Sequence, residues 1–248
     1  MKAMVLAAGL GTRLRPLTDH RPKALIKLDG RTLLEITLAR LRRFGIYQVI
    51  VNVHHCAEMV VDYLRAHENF GMDIEVSRES EALLDTGGGL KRAAGFFLRD
   101  HSDEAFVLHN VDVITNLDLA EMLRVHRERS ALATLAVQHR ASSRQLMFDD
   151  EGLLCGRRIG HDAAAEIVRP AERMEELAFS GVHVLSPRIL SRLDDAEVFS
   201  IIPTYLRLAA EGENIVAFNA DRFYWRDVGT PASLQAAAED LHRGVLDA

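Results

Sequence analysis

Cysteine is scarce in this chain: Cys56 and Cys155 are the only two among 248 residues. Two isolated thiols build neither a disulfide framework nor a metal-binding cluster, so a reduced, cytoplasmic protein is expected. No apolar run approaches the roughly 18 residues that span a bilayer, and the first, "AMVLAA", is too short for a signal peptide. A surplus of positive charge is missing too. The formal net charge is -6 with a pI near 6.0, which argues against a nucleic-acid partner. Linkers rich in Pro, Gly or Ser are absent, as are internal repeats. One domain over 1–248 is expected, with no membrane or nucleic-acid contact.

What is present is alternation. Buried-strand patterns at 3–8, 48–53, 73–77, 105–113 and 131–139 are separated by helical spacing at 32–45, 57–67, 88–100 and 118–130. This βα rhythm predicts a mostly parallel sheet with helices on both faces. After residue 140 the rhythm loosens. A hairpin at 145–158 turns on "DDEG", and strands follow at 179–185, 215–220 and 223–229. Helices are expected at 187–193 and 201–212, and at 231–246 with proline in the first turn. "RVHRERS" (124–130) reads as a solvated helix face, and His54-His55-Cys56 as a helix entry, not a metal site.

The stretch that resists a bland reading is "AAGLGTRLRPLTDHRPKAL" (7–25), directly behind the first strand. A dinucleotide fingerprint needs glycine where Leu14 stands, and a P-loop needs G-K-[ST]. Neither fits. Gly9 and Gly11 let backbone N–H groups approach an anion. Arg13 can fork onto phosphate oxygens, and Lys23, fixed behind Pro22, adds a point charge from another side. Together they make a polyphosphate cradle, and both side chains are expected to face solvent or ligand.

This string resembles the signature of sugar-1-phosphate nucleotidyltransferases, G-x-G-T-R-[LM]-x-P-L-T followed by P-K. Weaker similarity continues in "LLDTGGGLKRA" (83–93), "HNVDV" (109–113), "FSGVHVLSP" (179–187) and "WRDVGTPASL" (225–234). Within the family the chain is most similar to the small N-acetylmuramate-1-phosphate uridylyltransferase type. Mannose- and heptose-1-phosphate guanylyltransferases are near neighbours. The resemblance implies a Rossmann-like, three-layer α/β nucleotide-diphospho-sugar transferase fold. Its nucleotide-binding half would be 1–140 and its sugar-binding half 141–248.

The resemblance also implies roles. Ala8, Gly9, Gly11, Thr12, Arg13, Gly88 and Asn110 would bind the nucleotide, with Arg13 and Lys23 catalytic. Asp112 and Asp227 would hold Mg²⁺ between the donor α-phosphate and the sugar phosphate. Gly181 would line the sugar pocket. Relatives often carry an E-K-P element upstream, here "EIVRPAE", so Glu166 and Arg169 would contact the sugar. The family has N-[GA]-D where this chain has "NVD". Strand alternation turns Val111 away from Asn110 and Asp112. The donor would be UTP or GTP, the acceptor a sugar-1-phosphate, the products a nucleotide-sugar and pyrophosphate. Phosphocholine as acceptor and a non-catalytic nucleotide-sugar sensor are the alternatives. Monomer and homo-oligomer both stay open.

Overall fold

The structure, a computed structural model, describes residues 1–160 and 163–245. The first strand, β1 (Lys2–Leu6), is apolar on both faces: Ala3 and Val5 pack on one side of the sheet, Met4 on the other. Both faces are covered by helices. A short hairpin, β2 (Lys27–Leu28) and β3 (Arg31–Thr32), leads into α1 (Leu33–Arg43), whose N-cap Thr32 accepts from the Glu35 amide at 3.1 Å. Next come β4 (Gln48–Val53), α2 (Ala57–Ala66), β5 (Asp73–Arg78), α3 (Asp85–Leu98) and β6 (Phe106–Asn110).

The strand expected over 105–113 breaks at a turn at 111–112 and resumes as β7 (Val113–Thr115). Then follow α4 (Leu119–Glu128), capped by the Asp118 carboxylate, and β8 (Ala133–Gln138). The "DDEG" hairpin forms as read, between β9 (Arg144–Phe148) and β10 (Leu154–Ile159). Gly152 takes φ 74, and the Asp149 carboxylate accepts from the amides of Glu151 and Leu153. The remaining elements are β11 (Glu166–Ile167), β12 (Glu175–Leu185), α5 (Ile201–Ala210), β13 (Ile215–Asn219), β14 (Trp225–Asp227) and α6 (Pro231–His242). The last residue of the helix expected at 231–246 lies outside the described residues.

Strands β5, β4, β1 and β6 run parallel, the βα rhythm made visible. The long β12 then pairs antiparallel with β6, β8 and β9, and β13 is parallel to β8, so the sheet is mixed. Apolar residues of α1, α2, α4 and α6 fill one layer, and those of α3 and α5 the other. One reading needs correcting. His126, placed on a solvated face of α4, is buried, with Nδ1 at 2.9 Å from the Thr134 hydroxyl.

Candidate active site

The glycine loop springs from the carboxyl end of β1, beside the carboxyl end of its parallel neighbour β6. Ligands of open α/β sheets bind there. Its first amide, on Ala7, donates to Asn52 Oδ1 at 2.7 Å. Asn52 donates to Glu79 Oε1 at 2.7 Å, and Glu79 Oε2 accepts from the Leu84 amide at 2.9 Å. This buried chain ties the loop to the segment before α3. Gly11 has φ 64, and a Cβ there would lie 2.8 Å from Thr18 Cγ2. Its carbonyl accepts from the Leu14 amide and the Thr18 hydroxyl, both at 2.8 Å, which closes the turn. Nothing lies within 4 Å of a Cβ on Gly9, so backbone there is open to a ligand. Gly9, Gly11, Thr12, Arg13, Lys23 and Asp112 line one cavity of about 150 Å³. Ala8 is buried in the same turn.

Lys23 is not at the surface. It is 8% exposed, and its ammonium is ion-paired with Asp112. Asp112 stands in the turn that ends β6. Val111, between Asn110 and Asp112, is buried in the core layer formed with α1, which is the orientation that leaves the crevice unchanged.

Asp227 lines the adjoining cavities, and Arg13 lines both its side and that of Asp112. In the ladder of β7 with β14, Asp227 pairs with Val113, and the Val228 amide donates to the Asp112 carbonyl at 2.9 Å. The two aspartates, remote in sequence, are thus neighbours along the backbone. Asp227 Oδ1 accepts from the Gly229 amide at 2.6 Å and lies 3.7 Å from Arg13 Nη2. A Cβ on Gly229 would sit 2.5 Å from both atoms, so glycine is needed for Arg13 to reach Asp227. Each acid of the crevice is matched with one cation of the loop.

Beyond Asp227 the crevice widens. Asn110 and Asp227 line two adjoining cavities of about 790 and 630 Å³. Gly181 lines the larger one, at a break in β12 register, with φ 76. A Cβ there would lie 2.7 Å from Val113 Cγ2 and 3.0 Å from Asn110 Nδ2. Arg140, Ser142 and Arg144, on or beside the β8–β9 connection, form a polar wall. The sequence reading stops one strand at 139 and resumes at 145, so it passes over this segment. The cue was there: two arginines and two serines directly behind a strand end.

Gly88, Glu166 and Arg169 are not brought to these cavities. The three glycines lie inside α3, not ahead of it. A Cβ on Gly88 would meet the Glu197 carbonyl oxygen at 2.2 Å, and the amides of Gly87 and Gly88 donate to the Phe199 carbonyl. The glycines here admit a neighbouring chain segment. Glu166 is on the short outer strand β11, 2.6 Å from Arg157 Nε, and the Arg169 amide donates to the Cys155 carbonyl at 3.1 Å.

A glycine loop at parallel strand ends, two aspartates close along the backbone and a cavity walled by arginines mark the crevice of this α/β fold. A family model described as "Nucleotidyl transferase" matches residues 2–244. The chain belongs to that family. It is 33% identical to N-acetylmuramate alpha-1-phosphate uridylyltransferase of Caulobacter vibrioides, over 96% of each chain. It is 31% identical to UTP–glucose-1-phosphate uridylyltransferase of Synechocystis, over 99% of this chain and 63% of that protein. Identity to mannose-1-phosphate guanylyltransferase of Mycobacterium tuberculosis is 30%, over 98% of this chain and 65% of that one. The chain thus spans just under two thirds of the length of those two. The fold matches a solved putative glucose-1-phosphate thymidylyltransferase from Bacillus anthracis, with TM-score 0.80 at 18% identity over 100% and 97% of the chains.

Proposed function

We propose that this protein transfers a nucleotidyl group from UTP or GTP to a sugar-1-phosphate and releases pyrophosphate. The observation that carries the reading is the pairing of the signature-loop cations with the crevice acids, Lys23 with Asp112 and Arg13 with Asp227. A sugar-1-phosphate is largely dianionic near neutral pH, with a second pKa of about 6. Its oxygen can attack the donor α-phosphorus without a general base. The new P–O bond forms as the bond to the β-phosphate breaks, and the electron pair leaves with pyrophosphate. Catalysis is then positioning and charge stabilisation. Arg13 serves the β- and γ-phosphates and the leaving group, Lys23 the α-phosphate or acceptor phosphate. Asn110 and Gly181 shape the sugar side.

The crevice fits Mg²⁺. It offers two hard carboxylates, and among the described residues no group of three or more His, Cys, Asp or Glu is placed to hold a metal. Mg²⁺ takes one or two carboxylates and completes its shell with phosphate and water. Asp112 and Asp227 would hold it, and it would supply charge neutralisation between the two anionic substrates.

UTP is placed slightly ahead of GTP because the uridylyltransferase of Caulobacter vibrioides is matched over 96% of both chains, whereas the guanylyltransferase named above is covered to 65%. All three are named for sugar-1-phosphates, which disfavours phosphocholine. Retention of Arg13, Lys23, Asp112 and Asp227 disfavours a silent sensor. We place the reaction in the cytoplasm, where the two free thiols of Cys56 and Cys155 would stay reduced. The test is a pyrophosphate-release matrix of UTP, GTP, CTP, ATP and dTTP against glucose, mannose and N-acetylmuramate 1-phosphates and phosphocholine. Release with UTP or GTP and a sugar-1-phosphate is expected. Preference for CTP with phosphocholine would replace this reading.

A further inference from the structure

Two arginines of the cavity wall have no role in the reaction so far. Arg140 is fixed from several sides. Its guanidinium lies over the Trp225 indole, 3.9 Å from the ring centroid, and Nη2 donates to the Phe179 carbonyl at 2.6 Å. The indole itself donates to the Ser180 carbonyl at 2.7 Å. Both carbonyls belong to the stretch of β12 just before Gly181, so Arg140 and the sugar-side backbone are set by one anchor. Its Nε is buried and has no hydrogen-bond partner.

Arg144 is the opposite case. It is exposed at the start of β9, and its hydrogen bonds to the Ser142 hydroxyl run through its backbone. Its guanidinium engages no carboxylate among the described residues. Both arginines line the 790 Å³ cavity together with Arg13 and Asp227, so three guanidinium groups face one carboxylate. Arg13 also lines the loop cavity, which places the two cavities side by side.

We infer that Arg140 and Arg144 bind the phosphate of the acceptor, in the cavity that Arg13 lines on the donor side. This rests on the nucleotidyl-transfer reading of the same site. A dianion that must approach a triphosphate needs cations of its own. The cation expected from the family pattern, Arg169, lines neither large cavity. The β8–β9 connection supplies the replacement. A free guanidinium such as that of Arg144 can fork onto a pair of phosphate oxygens, while Arg140, with Nη2 taken by the Phe179 carbonyl and Nε buried, adds its charge and one remaining terminal nitrogen. Arg140, held by the indole, sets the orientation, and Arg144 closes on the phosphate from the mouth of the cavity.

Trp225 is the sole tryptophan of the chain and touches Arg140, so its emission reports on this pocket. The experiment titrates glucose, mannose and N-acetylmuramate 1-phosphates, and the three unphosphorylated sugars, into the wild type and Arg144→Gln. Turnover is measured on both proteins in parallel. At least one sugar-1-phosphate should shift the emission saturably while its parent sugar does not. Arg144→Gln should raise that Kd and the acceptor KM at least tenfold, with the nucleotide KM within twofold. Arg140→Lys, which keeps the charge and loses the guanidinium plane stacked on Trp225, should raise the acceptor KM as well. The inference is overturned if no sugar-1-phosphate moves the emission, or if Arg144→Gln leaves acceptor Kd and KM unchanged. It is equally overturned if nucleotide and acceptor weaken alike. Phosphate-dependent binding weakened by Arg144→Gln, with no turnover on any donor, would sink the activity reading and uphold the clamp. Turnover with an unchanged acceptor KM would do the reverse.

Discussion

The Lys23 ammonium is ion-paired with the Asp112 carboxylate, and both side chains are largely enclosed, at 10% and 19% exposure. The pair joins the opening loop to the turn after β6. Removing one partner leaves the other charge poorly solvated, which is costlier than removing both.

Lys23→Ala should therefore lower both activity and stability. We expect kcat/KM to fall at least 100-fold and unfolding free energy by about 1–3 kcal/mol. Adding Asp112→Asn should restore most of the stability and none of the activity. Urea melts of both single variants and the double variant form the cycle. Strict additivity of the two changes would count against the pair.

Arg13 presents the contrast, because its side chain is 63% exposed. Arg13→Ala should leave stability within about 0.5 kcal/mol of wild type and cut kcat/KM by about 100-fold, or ~2.7 kcal/mol of transition-state stabilisation. A variant with near-normal turnover would remove Arg13 from the phosphate cradle.

Two glycines of the site should fail in different ways when given a methyl group. At Gly229 the added Cβ meets the mobile end of Arg13 and the Asp227 carboxylate. Gly229→Ala should fold normally and lose activity by moving those groups. At Gly181 the φ of 76 and the Val113 methyl group both oppose a side chain. Gly181→Ala should destabilise by about 1–3 kcal/mol. Melting curves alongside turnover separate the cases. A stable Gly181→Ala would show that the β12 bulge relaxes freely.

Chelation tests the two acids. Activity should vanish in excess EDTA and return with Mg²⁺. Wild type should show an extra Mg²⁺-dependent thermal shift with UTP or GTP; Asp227→Asn should melt near the wild-type temperature yet lack that shift. An undiminished shift would place the metal elsewhere.

Stability should decline in mild acid. Burial lowers His109 and His126 to about 4 and His183 to about 3, with nearby cations or the neighbouring histidine adding to the effect. Unfolded histidines titrate near 6.5. Between these limits the unfolded chain binds more protons, so this stability is present above pH ~6.5 and lost on acidification, by up to about 1.4 kcal/mol per pH unit per histidine. His139 works the other way. Its hydrogen bonds to Glu175 and Asp221 raise its pKa, a contribution lost as pH climbs through the raised value. It is exposed, so burial should dominate. A melting temperature flat from pH 7 to 5 would contradict this balance.

The elements with a clear period were legible from residues alone. The pattern in "QVIVNV" becomes β4, and the spacing of Leu34, Leu38 and Leu41 becomes the buried stripe of α1. The long loop signature pointed to the loop that lines the small cavity with Asp112, and acids behind apolar runs pointed to Asp112 and Asp227, which the structure brings close along the backbone. What stayed hidden depends on which remote segment lies against which. The resemblance gives Gly88 to the nucleotide, yet the missing side chains of Gly87 and Gly88 admit Phe199 and Glu197. The first four of the eleven residues of β12 escape a sequence reading because exposed Glu175 and Glu176 begin it. Burial of Lys23 is likewise set by the turn after β6, 89 residues away.

The long strand β12 also governs how this chain can be cut and re-joined. It comes from the C-terminal part of the chain, yet it pairs with both β6 and β8 of the N-terminal part. A fragment ending at 140 would leave β8 without a partner on either side and β6 with one open edge. It should aggregate instead of giving a cooperative melt, whereas co-expression with the remainder should rescue it. New termini by circular permutation are better placed at the polar tip of the β9–β10 hairpin, where no partner strand would be orphaned.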